Sequence, residues 1–214
     1  MSEKTIPAPP TEGPFFDQIR AFMEADQHQF PAPGGVVFVG SSSITRWQSA
    51  QSDFPFIDLI RRGFGGSQLE QSTLYADRIV IPYKPRLIVM YAGDNDLAHG
   101  ESPEEVFADF QKFVQTVHAE LPETMIAFAS IKFSPSRWHL KEEIARANNL
   151  IREYCEVTPN THFIDMSQTL MGENGEPRPE LFGDGLHPNR AGYREWIKVL
   201  APAIRNLLKI PAET

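Results

Sequence analysis

The segment Asp184-Gly185-Leu186-His187-Pro188 places a carboxylate and an imidazole three positions apart. Gly185 and Pro188 favour a turn at this point rather than a helix or a strand. A carboxylate that accepts the Nδ1 proton of a histidine fixes the ring tautomer and leaves Nε2 free to take a proton from another group. The spacing therefore predicts an oriented base and raises the question of which group gives up its proton.

Three consecutive serines at positions 41–43 follow Gly40 and the short apolar run GGVVFVG. A serine hydroxyl is a weak nucleophile unless a base lies beside it, and His187 is the only base in this sequence that comes with its own orienting acid. Taken alone, the GSSS segment is more often a helix N-cap, and a single histidine more often has a structural role. Together, at the same edge of one sheet, the two signals predict a nucleophile and its base.

Size and composition restrict the class of protein. The 214 residues fit one domain, and 41% hydrophobic and 22% charged residues are ordinary for a globular protein. The formal net charge of −8 disfavours a surface built for nucleic acid or for anionic lipid. The single cysteine, Cys155, excludes an internal disulfide and a multi-thiolate metal site, and its place in the pattern LIREYC predicts a buried helical position with a structural role.

The N-terminal segment MSEKTIPAPPTEGPFF has neither the basic start nor the apolar stretch of a secretory signal. No run of about eighteen apolar residues occurs, so stable membrane insertion is not expected. We expect a cytoplasmic location, with a periplasmic or secreted one left open if a signal peptide has been removed. Residues 1–14 are predicted to form an extended arm, and residues 15–210 a single domain.

Strand and helix patterns alternate along the chain. Strands are predicted at 34–40, 56–60, 85–93, 124–131 and 162–166, and helices at 15–26, 68–79, 102–120, 142–155 and 189–208. The helix at 102–120 is the best marked, because Ser102, Pro103 and Glu105 supply an N-cap, a first-turn proline and the glutamate of a capping box. Such alternation predicts an α/β fold: a flavodoxin-like, three-layer α/β/α sandwich with a five-stranded parallel sheet.

Ligands of such sheets bind outside the carboxyl ends of the strands. The segments that follow the predicted strands are GSSS (40–43), RGFGGS (62–67), AGDND (92–96) and DGLHP (184–188). An acyl-transfer site needs donors for the developing oxyanion, which glycine backbone N–H groups and the Asn95 amide can supply. Tight turns are the alternative use of these glycines and of Asn95. Asp94 and Asp96 lack enough further oxygen ligands to predict a metal site, so no metal is expected.

The four segments together resemble the SGNH hydrolase superfamily, also known as GDSL esterases and lipases. That family has a serine after the first strand, a glycine after the second, an asparagine in a Gly-x-Asn-Asp motif after the third, and an Asp-x-x-His pair further on. Gly93-Asp94-Asn95-Asp96 and Asp184-Gly185-Leu186-His187 are the specific matches. The order and separation of the four segments agree with the family over residues 36–188.

The resemblance implies a five-stranded parallel sandwich and a role for each matching residue. It makes Ser42 the nucleophile, His187 the base, Asp184 its orienting acid, and Ser42, Gly66 and Asn95 the donors of the oxyanion hole. The serine motif departs from the family's Gly-Asp-Ser-Leu, because this chain has Gly40-Ser41-Ser42-Ser43. Ser41 therefore remains a rival nucleophile, and Gly65 a rival donor.

The expected function is hydrolysis of carboxylic esters through an acyl-enzyme, with short-chain acyl groups, including sugar O-acetyl groups, as the substrates and no cofactor. A lysophospholipase-type or thioesterase-type acyl hydrolase is the alternative on the same site, and a non-catalytic binding protein is the alternative on the same fold. The expected partner is a small ester, not a nucleic acid. Arg137, Trp138 and His139 could shape the pocket, but they are not included among the predicted catalytic residues.

Overall fold

The computed structural model describes residue 8 and residues 10–211, and a sheet of five parallel strands lies at its centre. The strands are β1 (Val36–Gly40), β2 (Leu59–Gly63), β3 (Leu87–Tyr91), β4 (Met125–Ala129) and β5 (Thr161–Ile164). Their order in the sheet is β2-β1-β3-β4-β5, so β1 and β3 occupy central positions. The predicted α/β sandwich with a five-stranded parallel sheet is confirmed.

Nine α-helices are present within the described residues, together with 3-10 turns at Ile81–Tyr83, Pro135–Leu140 and Pro179–Leu181. The helices are α1 (Phe16–His28), α2 (Ser42–Thr45), α3 (Ala50–Asp53), α4 (Leu69–Leu74), α5 (Ala76–Ile79), α6 (Asp94–Ala98), α7 (Pro103–Glu120), α8 (Lys141–Val157) and α9 (Arg190–Leu207). None of the described helices has the length and apolar content that crossing a bilayer requires.

Alternate residues of each strand point to two separate hydrophobic layers. Val37 and Val39 of β1 pack in the layer that contains α1, α4, α5, α7 and α8. Val36 and Phe38 pack in the layer that contains α2, α3 and α9. All five residues of β1 are buried, which explains why this strand appears in the sequence as a continuous apolar run.

The predicted start of α7 is confirmed in detail. The Ser102 N–H donates to Glu105 Oε2 over 2.7 Å, and the Glu105 N–H donates to Ser102 Oγ over 3.3 Å. These two bonds form the capping box, with Pro103 in the first turn. Cys155 is buried on α8, as predicted, and burial raises the pKa of its thiol to about 11.

Most predicted elements differ from the structure by a few residues at their ends, and two of them differ in a way that has a physical cause. The second strand runs from Leu59 to Gly63 rather than over residues 56–60, because Leu59 is the partner of Val36 in the register. The second half of β2 was not predicted because it contains Arg61 and Arg62, and arginine is not typical of a strand within a sheet. Their guanidinium groups bond instead to acceptors around this edge strand, namely the carbonyls of Thr45, Trp47 and Arg61, the Gln48 amide, the Asp26 carboxylate and the Tyr83 hydroxyl.

The helix predicted at 68–79 is interrupted at Tyr75, which separates α4 from α5. The Tyr75 side chain is buried and its hydroxyl donates to the carbonyl of Pro14 over 2.5 Å. Residues 1–7 and 9 of the predicted arm lie outside the described residues. An extended conformation for residues 1–14 therefore stays a prediction.

Candidate active site

The serine segment leaves the sheet in a sharp turn at the end of β1. Gly40 has φ +143°, and a Cβ at this position would lie 1.9 Å from the carbonyl oxygen of Tyr91 on β3. Only glycine fits such a close backbone approach. The next N–H, of Ser41, donates to that same Tyr91 carbonyl over 3.2 Å, and α2 then begins at Ser42. The strand and the short helix together present Ser42 at the carboxyl edge of the sheet.

The Asp-x-x-His segment forms a closed turn just before α9. Asp184 Oδ1 accepts the N–H groups of Leu186 and His187 over 3.1 and 2.8 Å, and the Gly183 N–H donates to the His187 carbonyl over 2.9 Å. The Asn189 side chain then caps α9 by accepting the N–H groups of Ala191 and Gly192. The carboxylate and the imidazole are therefore oriented mainly by bonds within a few residues of sequence.

Ser42, His187 and Asp184 form one line of hydrogen bonds. Ser42 Oγ lies 2.7 Å from His187 Nε2, and His187 Nδ1 lies 2.7 Å from Asp184 Oδ2. An ionised carboxylate can only accept, so the ring proton lies on Nδ1 and Nε2 is left to accept from the serine hydroxyl. The structure thus brings the three residues predicted as nucleophile, base and orienting acid into contact.

The protonation states favour a neutral histidine beside an ionised aspartate. Burial opposes ionisation of Asp184, but the hydrogen bonds from the backbone and ring of His187 outweigh it and hold the pKa of Asp184 well below its usual range. Burial lowers the pKa of His187, and the nearby cations Arg46 and Lys132 lower it further, while Asp184 acts in the opposite direction. Arg46 Nη1 donates to Asp184 Oδ2 over 2.9 Å, the same oxygen that faces the imidazole.

Ser41, the rival nucleophile, faces a different residue. Its Oγ accepts a hydrogen bond from Asn95 Nδ2 over 2.7 Å, and the same nitrogen donates to the carbonyl of Ser67 over 2.9 Å. Ser41 is the residue before α2, yet its hydroxyl makes no capping bond to that helix. Asn95 lies on α6 and is buried. The predicted oxyanion donor Asn95 therefore links the serine segment to the glycine segment.

The two glycines that follow Phe64 differ in the use of their N–H groups. The Gly65 N–H donates to Gln18 Oε1 of α1 over 2.9 Å. Among the described residues no acceptor lies at the Gly66 N–H, and the φ of +89° at Gly66 is in the left-handed region that favours glycine. Gly66, rather than Gly65, is the residue whose N–H remains available in this segment.

A buried ionic group behind Asn95 was not predicted. Asp94 Oδ2 lies 2.6 Å from Lys132 Nζ and 3.2 Å from Arg137 Nη1, and Lys132 Nζ donates to the Tyr91 hydroxyl over 3.0 Å. Burial opposes ionisation of Asp94, but Lys132 and Arg137 outweigh it and lower the pKa of the carboxyl. The sequence signal was the pair of basic residues in IKFSPSRW, directly after β4 at the same edge of the sheet.

Trp138 and His139, the two residues that follow Arg137, have different surroundings from the arginine. Trp138 packs edge-on against Phe133, with ring centroids 5.9 Å apart, and lies under the ammonium group of Lys141. His139 is exposed. Trp47, which follows Arg46, is a buried core residue stacked on Tyr193, so it packs within the hydrophobic layer of α9.

Asp96, the last residue of the Gly-x-Asn-Asp motif, lies in a different environment from Asp94. Its Oδ1 accepts the N–H of Leu69 at the start of α4 over 2.8 Å. One carboxylate oxygen from each of Asp96, Glu101 and Asp109 lies within 4.8 Å of the other two. Burial, followed by the charge of neighbouring acidic groups, raises the pKa of Asp96 to about 6 and that of Glu101 to about 7. The carboxyls of Asp96 and Glu101 therefore ionise at a higher pH than exposed carboxyls do.

Most of the chain is similar to known proteins. Residues 36–195 match the GDSL-like Lipase/Acylhydrolase family, which covers more than half of the chain. The chain therefore belongs to this family of carboxylic ester hydrolases, and its sheet and helices form the SGNH hydrolase fold. The resemblance stated from the sequence is confirmed at the level of family and fold.

Individual relatives are distant. The chain is 24% identical over 180 residues to platelet-activating factor acetylhydrolase IB subunit alpha1 of Bos taurus, an alignment that covers 81% of this chain and 76% of that protein. Its structure is similar to a GDSL-like lipase from Bacteroides thetaiotaomicron, with a TM-score of 0.74, 22% identity, and coverage of 88% of this chain and 97% of that one. A family 3 carbohydrate esterase from Talaromyces cellulolyticus gives a TM-score of 0.66 at 19% identity, over 84% of this chain and 100% of that one.

Proposed function

We propose that this protein is a serine esterase that uses Ser42 as nucleophile, His187 as general base and Asp184 as the acid that orients the base. The observation that carries the proposal is the 2.7 Å contact between Ser42 Oγ and His187 Nε2, with Asp184 Oδ2 2.7 Å from Nδ1 on the opposite side of the ring. A nucleophile, a base and an orienting carboxylate in this sequence are the parts that acyl transfer requires.

In the proposed reaction His187 Nε2 takes the proton of the Ser42 hydroxyl while Oγ attacks the ester carbonyl. The tetrahedral intermediate collapses to an acyl-enzyme, and the protonated imidazole gives its proton to the departing alcohol. Water then attacks the acyl group with the same histidine as base, which releases the carboxylic acid and regenerates Ser42. This sequence of steps uses no cofactor.

The negative charge on the carbonyl oxygen is proposed to be held by three donors. The N–H groups of Ser42 and Gly66 have no acceptor among the described residues, so both are available to an oxyanion. Asn95 Nδ2 already donates to Ser41 Oγ and to the Ser67 carbonyl. We infer that the hydrogen directed at Ser41 is shared with the oxyanion as that charge develops, since an ionised acceptor attracts an N–H more strongly than a hydroxyl does.

Small acyl groups are the proposed substrates, with acetyl esters first. The names of two relatives support this choice, one an acetylhydrolase and the other a carbohydrate esterase. Family membership supports hydrolysis of a carboxylic ester and leaves the acyl length and the alcohol to experiment. A lysophospholipase or a thioesterase would use the same residues with a longer acyl chain or a thiol leaving group.

A panel of p-nitrophenyl acetate, butyrate and longer esters tests both the class and the acyl preference. We expect hydrolysis that is fastest with acetate, and a fall of roughly 10⁴-fold or more in kcat for Ser42→Ala, the scale on which triad members contribute. Ser52→Ala is the matched control, because Ser52 is exposed and its hydroxyl donates to the Ser49 carbonyl, away from His187 and Asp184 in the hydrogen bonds of the described residues. Wild-type rates in folded Ser42→Ala would contradict the assignment, and a wild type that hydrolyses no ester would favour a binding protein.

A further inference from the structure

Arg137 contacts the residue proposed as the side-chain donor of the oxyanion hole. Its Nη2 donates to Asn95 Oδ1 over 2.7 Å, and its Nη1 lies 3.2 Å from Asp94 Oδ2. The Arg137 side chain is 14% exposed, so the guanidinium is largely removed from water. The family motif that contains Asn95 does not include this arginine, which belongs to the segment after β4.

The segment that carries Arg137 is also joined to the histidine turn. In the 3-10 turn Pro135–Leu140, the Ser136 N–H donates to the Gly185 carbonyl over 2.9 Å, and Gly185 lies between Asp184 and His187. The Arg137 N–H donates back to the Ser134 carbonyl over 3.2 Å. The backbone next to Arg137 is therefore hydrogen-bonded to the histidine turn, while the Arg137 guanidinium group reaches Asn95.

Asp94, Lys132 and Arg137 form a largely buried charged cluster next to Asn95. Asp94 contributes one negative charge, whereas Lys132 and Arg137 contribute two positive ones, and Lys132 Nζ lies 2.6 Å from Asp94 Oδ2. The neighbouring Tyr91 hydroxyl is neutral, because burial raises its pKa to about 12. Arg137 therefore places a cation against Asn95 Oδ1 in a largely buried region, where electrostatic interactions are weakly screened.

We propose that Arg137 is a positioning residue for the esterase reaction, acting on the oxyanion through Asn95. By binding Oδ1 it fixes the orientation of the amide, so that Nδ2 faces the serine segment and the amide cannot rotate its oxygen toward the reacting carbonyl. A cation at Oδ1 also draws electron density from the amide nitrogen and makes its N–H a stronger donor. No bond to Arg137 forms or breaks during the reaction.

A purely structural role is the competing explanation. In that case Arg137 would serve only to neutralise Asp94, and its loss would affect folding or the shape of the pocket in general. Lys132 already pairs closely with Asp94, so Arg137→Ala leaves the buried carboxylate with a partner. The two explanations differ in one respect, since only action through Asn95 makes the effect of Arg137 depend on the presence of the Asn95 amide.

A double-mutant cycle separates them. We expect Arg137→Ala to lower kcat for p-nitrophenyl acetate by about 10- to 100-fold with little change in KM, because the lost interaction acts in the transition state. Arg137→Lys should recover part of the loss, since it keeps the charge but not the fork of donors. In the Asn95→Ala background, Arg137→Ala should change kcat by less than about twofold.

Each arm of the cycle has a control. Arg152→Ala removes an arginine that pairs with Asp165 outside the candidate site, and its kcat should stay within about twofold of wild type. Thermal unfolding of every variant shows whether it is folded. If Arg137→Ala is not folded, Arg137→Met takes its place, because methionine keeps much of the side-chain volume. Where turnover of the double variant is too slow to follow, the rate of inactivation by a fluorophosphonate supplies the same comparison.

The proposal rests on the esterase function but can fail independently of it. An equal loss from Arg137→Ala in the wild-type background and in the Asn95→Ala background, or an unchanged kcat in the single variant, would overturn it while hydrolysis still depended on Ser42. Activity that survives Ser42→Ala would instead overturn the proposed function itself.

Discussion

Asn95 Nδ2 lies 2.7 Å from Oγ of Ser41, the residue directly before the proposed nucleophile. This contact gives a physical role to Ser41, which stands where the family pattern has aspartate. A serine hydroxyl accepts the Asn95 N–H and adds no negative charge next to the developing oxyanion. Serine in place of the family's aspartate is therefore compatible with a working oxyanion hole.

Ser41→Ala should leave most of the activity. The change removes one neutral hydrogen bond, a net contribution of about 1 kcal/mol, so we expect kcat to stay within about tenfold of wild type. The freed Asn95 N–H would remain available to the oxyanion. Steady-state kinetics with p-nitrophenyl acetate measure this, and a loss as large as that of Ser42→Ala would indicate that Ser41 is the nucleophile.

Asn95→Ala should lower kcat by about 100- to 1000-fold, the range observed when one donor of an oxyanion hole is removed. Asn149→Ala is the matched control, because Asn149 is exposed on α8 and should be kinetically silent. Melting temperatures of both variants show whether the fold survives. A loss below about threefold in folded Asn95→Ala would mean that this amide does not face the oxyanion.

The acid limb of kcat/KM should report the protonation of His187. Its pKa lies below the usual 6.5, because burial and the cations Arg46 and Lys132 outweigh the opposing effect of Asp184. The neutral base is present above this pKa, so activity should fall as the pH drops through a midpoint below 6.5. A midpoint above 6.5 would contradict this environment for the base.

Arg46→Ala should move that midpoint to higher pH. The substitution removes a nearby cation and leaves Asp184 Oδ2 to the imidazole alone, and both changes favour the protonated ring. The Arg46 side chain is 55% exposed, so solvent should keep the shift below about one pH unit. Arg46→Lys, which retains the charge, should stay close to wild type, and a downward shift in Arg46→Ala would exclude this role.

Much of the site could be predicted because its signals are local. Asp184 and His187 are three residues apart in a glycine turn, and Gly40 fixes where the chain leaves β1, so the sequence alone indicated both partners. The capping box of α7 likewise lies within four residues. The parallel order of the strands then placed these segments at the same edge of the sheet.

The parts that sequence analysis missed depend on contacts between distant side chains. Arg46 and Asp184 are 138 positions apart, and Arg137 and Asn95 are 42 apart, so neither pair forms a motif. The end of β2 was missed for a related reason. Arg61 and Arg62 find acceptors on other elements, and no periodicity within the strand reveals those acceptors.

The cluster of Asp96, Glu101 and Asp109 should make the stability of the folded protein depend on pH. The folded-state pKa of Glu101 is raised from 4.5 to about 7, so the folded protein retains a proton that the unfolded chain releases, and stability falls as the pH rises across this interval. Glu101→Gln removes the ionisation and keeps an acceptor for the Gln68 amide. Solvent screening should hold the gain at pH 8 near 1 kcal/mol, or about 2 to 4 °C in Tm.

Melting curves at pH 5 and pH 8 test this expectation. The Tm advantage of Glu101→Gln should be clear at pH 8 and smaller at pH 5, whereas the exposed Glu142→Gln should behave like wild type at both. An advantage that is the same at the two pH values would show that ionisation of Glu101 does not oppose folding.

The most direct test of the central assignment is labelling with a fluorophosphonate followed by peptide mapping, because the reagent reacts with a serine activated by a neighbouring base. Wild type and Ser41→Ala should both carry the modification on Ser42, and Ser42→Ala should not be labelled. Modification of Ser41 in the wild type, or a folded wild type that does not react, would contradict Ser42 as the nucleophile paired with His187.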